Sequence, residues 1–205
     1  MAELLPRLAI AVPGADEVVV PASLFPRAVS EVWLEIGFGG GEHVAEQVRR
    51  HPDVGIIGCE VFLNGVASLL GHLNASGIDT VRIFPEDARL LLPALPEASL
   101  GRVFVLFPDP WPKKRHAERR FIGPANLAAL ARVMADGAEL RVASDDPVYV
   151  EWALGHLGDH PAFTARQITQ ERAALPDDWP PTRYERKLLA GYPPTFMRFC
   201  RKPRT

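Results

Sequence analysis

The stretch from Leu106 to Arg120 reads LFPDPWPKKRHAERR and carries the residue types best suited to chemistry. Pro108 and Pro110 restrict the backbone on either side of Asp109, which fixes a carboxylate beside the Trp111 indole. Lys113, Lys114, Arg115 and His116 follow, then Arg119 and Arg120. Clustered cations suit phosphate contacts, and an indole offers a face for stacking on a nucleobase. A basic run alone is usually a solvated helix face. The stiff Asp-Pro-Trp loop next to this one makes a nucleic-acid surface the stronger expectation. A second cluster is Glu35-Ile36-Gly37-Phe38-Gly39-Gly40-Gly41. Glycines there let the backbone turn tightly and approach a ligand closely. The dinucleotide fingerprint G-x-G-x-x-G, counted from Gly37, asks for glycine where Glu42 stands. A carboxylate at that point would repel a pyrophosphate, which disfavours a nicotinamide-dependent oxidoreductase. A purely structural glycine turn remains the plain alternative.

The elements that must position these residues alternate. Val32–Ile36 reads as a strand broken by Gly37, and Glu42–His51 as a helix. Val54–Glu60 is a buried strand ending in a carboxylate, and Phe62–Asn74 has helical spacing that stops at Gly77. Thr80–Phe84 and the near-continuously apolar Arg102–Phe107 are the third and fourth strands. Ala125–Met134 is a helix, Ala138–Ser144 a fifth strand and Pro147–Leu157 a helix. Such alternation predicts an α/β fold, a doubly wound and mostly parallel sheet. Phe163–Ile168 and Thr195–Cys200 are expected to close it as an antiparallel pair, giving seven strands. Residues 1–30 are Pro-rich and weakly patterned, and are expected to be a partly ordered segment before one domain over 31–205. Glu35, Glu60 and Asp87 all fall at carboxyl ends of strands, the edge where doubly wound sheets bind ligands.

The acidic-x-Gly-x-Gly-x-Gly spacing of Glu35, Gly37, Gly39 and Gly41 resembles the first motif of the class I S-adenosylmethionine-dependent methyltransferases. That cofactor has no phosphate but carries an ammonium, a carboxylate and a sulfonium, so an acid beside it is favourable. Glu60 stands where such folds place an acceptor for ribose hydroxyls, and Asp87 where the family places a residue near the adenine amino group. Residues 35–120, above all FPDPWPKKRH, resemble the bacterial tRNA (guanine-N7-)-methyltransferase family. Ala143-Ser144-Asp145 and Thr182-Arg183-Tyr184-Glu185-Arg186 match further family signatures. The resemblance implies a Rossmann-like methyltransferase fold and methylation of N7 of a tRNA guanine, the variable-loop guanosine at tRNA position 46. It implies cofactor contacts for Glu35, Gly37, Gly39, Gly41, Glu60, Asp87 and Asp109, with Asp109 catalytic between cofactor and base. Lys113, Asp145, Thr182, Arg183, Tyr184 and Glu185 would hold the guanosine. Trp111, Lys114, Arg115, His116, Arg119 and Arg120 would contact RNA. Two features depart from the family: its longer basic N-terminal arm is not matched, and GYPPTFMRF lacks an acidic residue often found there.

With 205 residues the chain can bury a full-sized core, and 47% apolar against 23% charged residues is ordinary globular composition. The net charge of −2 makes the 113–120 cluster a local feature. Cys59 and Cys200 lie in apolar segments without zinc-site spacing, so no metal is expected and both thiols are expected buried and reduced. The N-terminus shows no signal-peptide pattern and no stretch reaches the length of a membrane span, so a cytoplasmic protein without a membrane partner, monomer or homodimer, is expected. Two rivals stay open: a methyltransferase of the same fold acting on another RNA or a protein, and a non-catalytic RNA-binding module.

Overall fold

The computed structural model describes residues 4–187 and 191–204, without the side chains of residues 75, 76, 186 and 187. Its elements run α1 (Leu5–Leu8), β1 (Val32–Ile36), α2 (Glu42–Arg50), β2 (Gly55–Cys59), α3 (Leu63–Ser76), β3 (Val81–Phe84), α4 (Ala88–Leu91), β4 (Leu100–Leu106), α5 (Pro124–Val133), β5 (Met134–Ser144), α6 (Pro147–Asp159), β6 (Phe163–Thr169), α7 (Arg183–Lys187) and β7 (Thr195–Arg201). The strands form a seven-stranded sheet ordered β3-β2-β1-β4-β5-β7-β6. Pairs from β3 to β5 are parallel, and β7 runs antiparallel to both β5 and β6. This is the doubly wound sheet with an antiparallel pair that the alternation implies. From β1 the chain winds outward through β2 and β3, then returns to β4 on the other side of β1. The two directions of winding part between β1 and β4, and that parting leaves a crevice at the carboxyl ends of the strands.

Strand periodicity decides what faces the crevice. Val32, Leu34 and Ile36 join one apolar cluster with Ile57, Val103 and Val105, while Trp33 joins the other with Ile56 and Phe104. Glu35 shares the face of Trp33 and is directed at α2. Most boundaries shift by one or two residues from the sequence expectation, and the start of β5 shifts by four. Met134 starts β5 rather than ending α5. It is fully buried and pairs with Leu100, and a register shift then carries the pairing to Arg102 and Glu139. Asp136-Gly137, with φ +83° at Gly137, is thus an irregularity inside the strand and not a turn before it. The weakly patterned N-terminal stretch is also part of the fold. The Ile10 amide donates to the Ile83 carbonyl at 2.8 Å, and Ile10, Val19 and Phe25 belong to the core.

The polar segment between β6 and β7 is anchored by a buried cation. Arg141 of β5 has a side chain only 2% exposed. It donates to Asp178 Oδ1 and Oδ2 at 2.8 and 3.0 Å, to the Asp178 carbonyl at 3.1 Å and to Glu139 at 2.8 Å. Arg102 adds a 2.6 Å bond to Asp178, and Gln47 of α2 donates to its carbonyl at 2.7 Å. Beside them Trp179 is buried against Phe196. Burial tends to raise the Asp178 carboxyl, but Arg141 and Arg102 outweigh it and hold the group below the ordinary carboxylate range. A carboxylate so depressed stabilises the fold above its unfolded pKa, and that contribution is lost as pH falls through the lowered value. Asp178→Ala should cost about 3 kcal/mol in urea unfolding at neutral pH, because it leaves the buried Arg141 and its neighbour Arg102 to share Glu139 alone. The gap between variant and wild type should shrink on acidification below about pH 4. Equal urea midpoints at pH 7 would show that Glu139 alone suffices for Arg141.

Candidate functional site

The turn after β1 gives the crevice its floor. Gly37, Gly39 and Gly41 adopt φ of +72°, +57° and +79°, a region L side chains rarely enter. Glu60, just beyond β2 and 6% exposed, holds this turn. Its Oε2 accepts the Gly39 amide at 2.8 Å and its Oε1 the Phe62 amide at 2.9 Å. Helix α3 then packs so tightly that a Cβ on Gly65 would collide with the Gly39 carbonyl oxygen, and one on Gly41 would sit 2.6 Å from Leu69 Cβ.

Above the turn opens a cavity of about 590 Å³. The glycine turn, Glu60 and Asp87 line one side, and Asp109, Trp111 and Arg119 the other, with Arg183 and Tyr184 reaching in from α7. Its apolar lining includes Ile36, Phe62, Phe107 and Phe121. Such a volume, mostly apolar with a few fixed polar groups, suits a nucleoside-sized ligand. Asp87 caps α4 through the Arg89 amide at 2.9 Å and pairs with the Arg89 guanidinium at 2.9 Å. Asp109 is exposed on the cavity side of the loop after β4. Phe107 and Trp111, at either end of Pro108-Asp109-Pro110, adopt φ of +51° and +42°. Non-glycine residues hold that region only where their surroundings force them to.

Several candidate residues lie elsewhere. Glu35 is 2% exposed and does not line the large cavity. Its Oε2 is 2.6 Å from His43 Nδ1, whose other ring nitrogen is 3.1 Å from Gln47 Nε2. Glu35 instead lines a separate hollow of about 20 Å³, together with Thr182, Arg183 and Tyr184. Gly41 is taken up by packing on Leu69. Asp145 is half-buried just beyond β5, outside the cavity lining. Thr182 and Glu185 form a capping box on α7: the Glu185 amide donates to Thr182 Oγ1 at 3.2 Å, and the Thr182 amide to Glu185 Oε2 at 3.4 Å. Arg172 also donates to the Glu185 carboxylate at 2.8 Å. Of the signature at 182–186, the side chain of Arg186 lies outside the described residues.

On the basic loop, Lys113, Lys114, Arg115 and Arg119 are exposed and His116 half-buried. Trp111 has one face covered by the Arg119 guanidinium at 4.8 Å and stands nearly perpendicular to the His116 ring. Arg120 corrects the expectation of a uniformly outward cluster, since it is only 4% exposed. Its guanidinium is taken up by the Pro110 and Trp111 carbonyls. Sequence reasoning missed Phe62, Asn64, Ser68, Glu86, Arg89 and Phe121 as lining residues. Asn64 and Ser68 are four apart on α3, a spacing that shares a helix face, and that signal was available. Among the described residues, no three His, Cys, Asp or Glu are grouped to hold a metal, and no helix is long and apolar enough to cross a membrane.

With this geometry in hand, comparison places the chain among known proteins. Residues 30–195 match the family model described as "Putative methyltransferase". The chain is 63% identical over 203 residues to the tRNA (guanine-N(7)-)-methyltransferase of Paramagnetospirillum magneticum, covering 98% of this chain and 85% of that protein. It is 55% identical over 194 residues to the protein of the same name from Rhodospirillum rubrum, covering 93% and 76%. Among solved structures, the 16S rRNA methyltransferase KamB superposes with a TM-score of 0.61 at 17% identity, covering 85% of this chain and 89% of that one, a likeness of fold. Gly65→Ala tests the site's packing. Alanine would ordinarily favour a helix by about 1 kcal/mol. Here the melting temperature should fall rather than rise, because the new methyl displaces the Gly39 carbonyl. A higher melting temperature would show that the turn has slack.

Proposed function

The chain belongs to the family of tRNA (guanine-N7-)-methyltransferases, and on that premise we propose that it moves the methyl group of S-adenosylmethionine to N7 of a guanine in tRNA, the variable-loop guanosine at tRNA position 46, in the cytoplasm. One observation carries the reading. A single cavity is lined on one side by the glycine turn and Glu60, and on the other by Asp109, Trp111 and Arg119 at the edge of the basic loop.

The residues present fit the cofactor. Each Glu60 oxygen accepts one backbone amide and keeps a further lone-pair site for a ribose hydroxyl. Ile36, Phe62 and Ala88 offer apolar surface to an adenine, and Asp87 an acceptor for its amino group. S-adenosylmethionine, when bound, supplies an electrophilic methyl on a sulfonium. Guanine N7 has an in-plane lone pair and no proton, so no residue need act as a general base. The work left to the chain is positioning and electrostatics. Asp109 lines the cavity, where its carboxylate offsets the positive charge that grows on the guanine ring as the methyl is transferred. Arg183 and Tyr184 present the capped helix α7 to the same cavity, while Lys113, Asp145, Thr182 and Glu185 do not line it and are assigned to the guanosine by the family resemblance alone. Glu35 is tied to helix α2 through His43.

Asp109→Ala should keep cofactor affinity and lose about two orders of magnitude in turnover, read by transfer of labelled methyl to tRNA. Near-normal turnover would remove Asp109 from the mechanism. Glu60→Ala should instead weaken cofactor binding in calorimetry. If the exposed Lys113, Lys114, Arg115 and Arg119 each meet one phosphate of single-stranded character, log K for tRNA should fall with log salt at a slope of about −3. A flat salt response would contradict an RNA substrate.

A further inference from the structure

Arg120 closes a basic run whose other cations are exposed, yet it lies inside the molecule at 4% exposure. Its Nε donates to the Pro110 carbonyl and its Nη2 to the Trp111 carbonyl, both at 3.0 Å. Its guanidinium lies over the Trp152 ring of α6, 4.8 Å from the ring centroid. Trp152 in turn donates from Nε1 to the Ile122 carbonyl, and Ile122 returns its amide to the Tyr149 hydroxyl of the same helix at 3.3 Å. We propose that Arg120 is a positioning residue for methyl transfer: it clamps two successive carbonyls of the Asp109 loop against helix α6 and so fixes the catalytic carboxylate at the cavity.

The loop needs such a clamp for a chemical reason. Pro108, Pro110 and Pro112 have no N–H, so the segment cannot be held by a backbone ladder. Trp111 sits at φ +42°, a conformation that does not persist without outside support. A planar guanidinium presents several donors in fixed directions, and two of them meet the two carbonyls here. An ammonium is a point charge without that fork, so lysine is not an equivalent at this position. Because both recorded partners are loop carbonyls and the group is buried, Arg120 is not available to an RNA phosphate, unlike Arg119 next to it.

The role rests on the proposed tRNA methyl transfer, and the test separates the two. Wild type, Arg120→Lys and Trp152→Leu are compared in methyl transfer to tRNA, cofactor calorimetry, tRNA binding across a salt series, and amide hydrogen exchange over residues 109–116. Arg120→Lys should lower kcat at least about tenfold, which is about 1.4 kcal/mol of barrier. Cofactor Kd should stay within about twofold and the salt slope should be unchanged. Exchange over the loop should quicken. Trp152→Leu, a residue of α6 that does not line the cavity, should reproduce the kcat loss in weaker form and serves if the lysine variant folds poorly. Wild-type kcat in both variants would overturn the role. So would a salt slope shallower by about 0.7, which marks a lost phosphate contact. If the wild-type chain itself transfers no methyl to tRNA, the functional reading fails. Loop exchange then decides the clamp alone: unchanged exchange in Arg120→Lys refutes it, and faster exchange supports it.

Discussion

The Glu60 carboxylate is the interaction on which the site depends. A doubly wound sheet opens a crevice wherever its winding reverses, but an open crevice is only a gap. Here the chain leaving β1 must turn across that gap through three left-handed glycines, and the Gly39 amide between them is taken by a side chain. Glu60 reaches over from the end of β2 and takes one amide from this turn and one from the start of α3. The ends of two neighbouring strands are thereby tied at one carboxylate. Helix α3 can then approach until Gly65 meets the Gly39 carbonyl, and the floor of the cavity follows from that approach.

Much of this was legible in the sequence. Strand–helix alternation implied the sheet and its antiparallel close, and the glycine spacing and Pro-Asp-Pro-Trp segment located the two walls of one cavity. What escaped were facts of facing and pairing. Glu35 looks like a ligand acid from its position in the motif, but a strand alternates sides, and residue 35 shares the side of Trp33. Thr182 and Glu185 read as substrate contacts, while their spacing also satisfies the amides of a short helix. Arg120 reads as part of a basic RNA-facing cluster, and nothing local in the sequence marks Arg141 as buried. Their burial is decided by partners far away in sequence, such as Trp152 for Arg120 and Trp179 for Arg141. No local pattern reports such pairs.

Inward arginines also bear on how a chain of net charge −2 could meet a polyanion. Arg102 and Arg141 hold Asp178, Arg132 binds carbonyls at Leu92 and Leu95, and Arg201 and Arg204 pair with Asp136. These cations are internally matched and add little to the outer field. The exposed lysines and arginines after Pro112 therefore face solvent with little competition from the rest of the molecule, which concentrates positive potential beside the cavity.

The loop between β4 and α5 joins both halves of the site, and its geometry is not cheap. Phe107 and Trp111 each hold a left-handed conformation that costs on the order of 1–3 kcal/mol. A flexible loop would avoid that cost and would also let Asp109 wander. If Asp109 acts as proposed, in a reaction without a proton to remove, the gain lies in a carboxylate already aimed at the charge that develops, since reorganising it during the reaction would consume the benefit. Stiffness is imposed from several sides: prolines restrict φ, the Phe107 amide is held by the Ala143 carbonyl at 2.8 Å, and a buried guanidinium takes the Pro110 and Trp111 carbonyls. A strained loop so over-determined keeps Asp109 at the cavity before any ligand arrives. The strain belongs to the positioning of the acid, and removing it by glycine at Phe107 or Trp111 would relax the backbone and loosen the aim together.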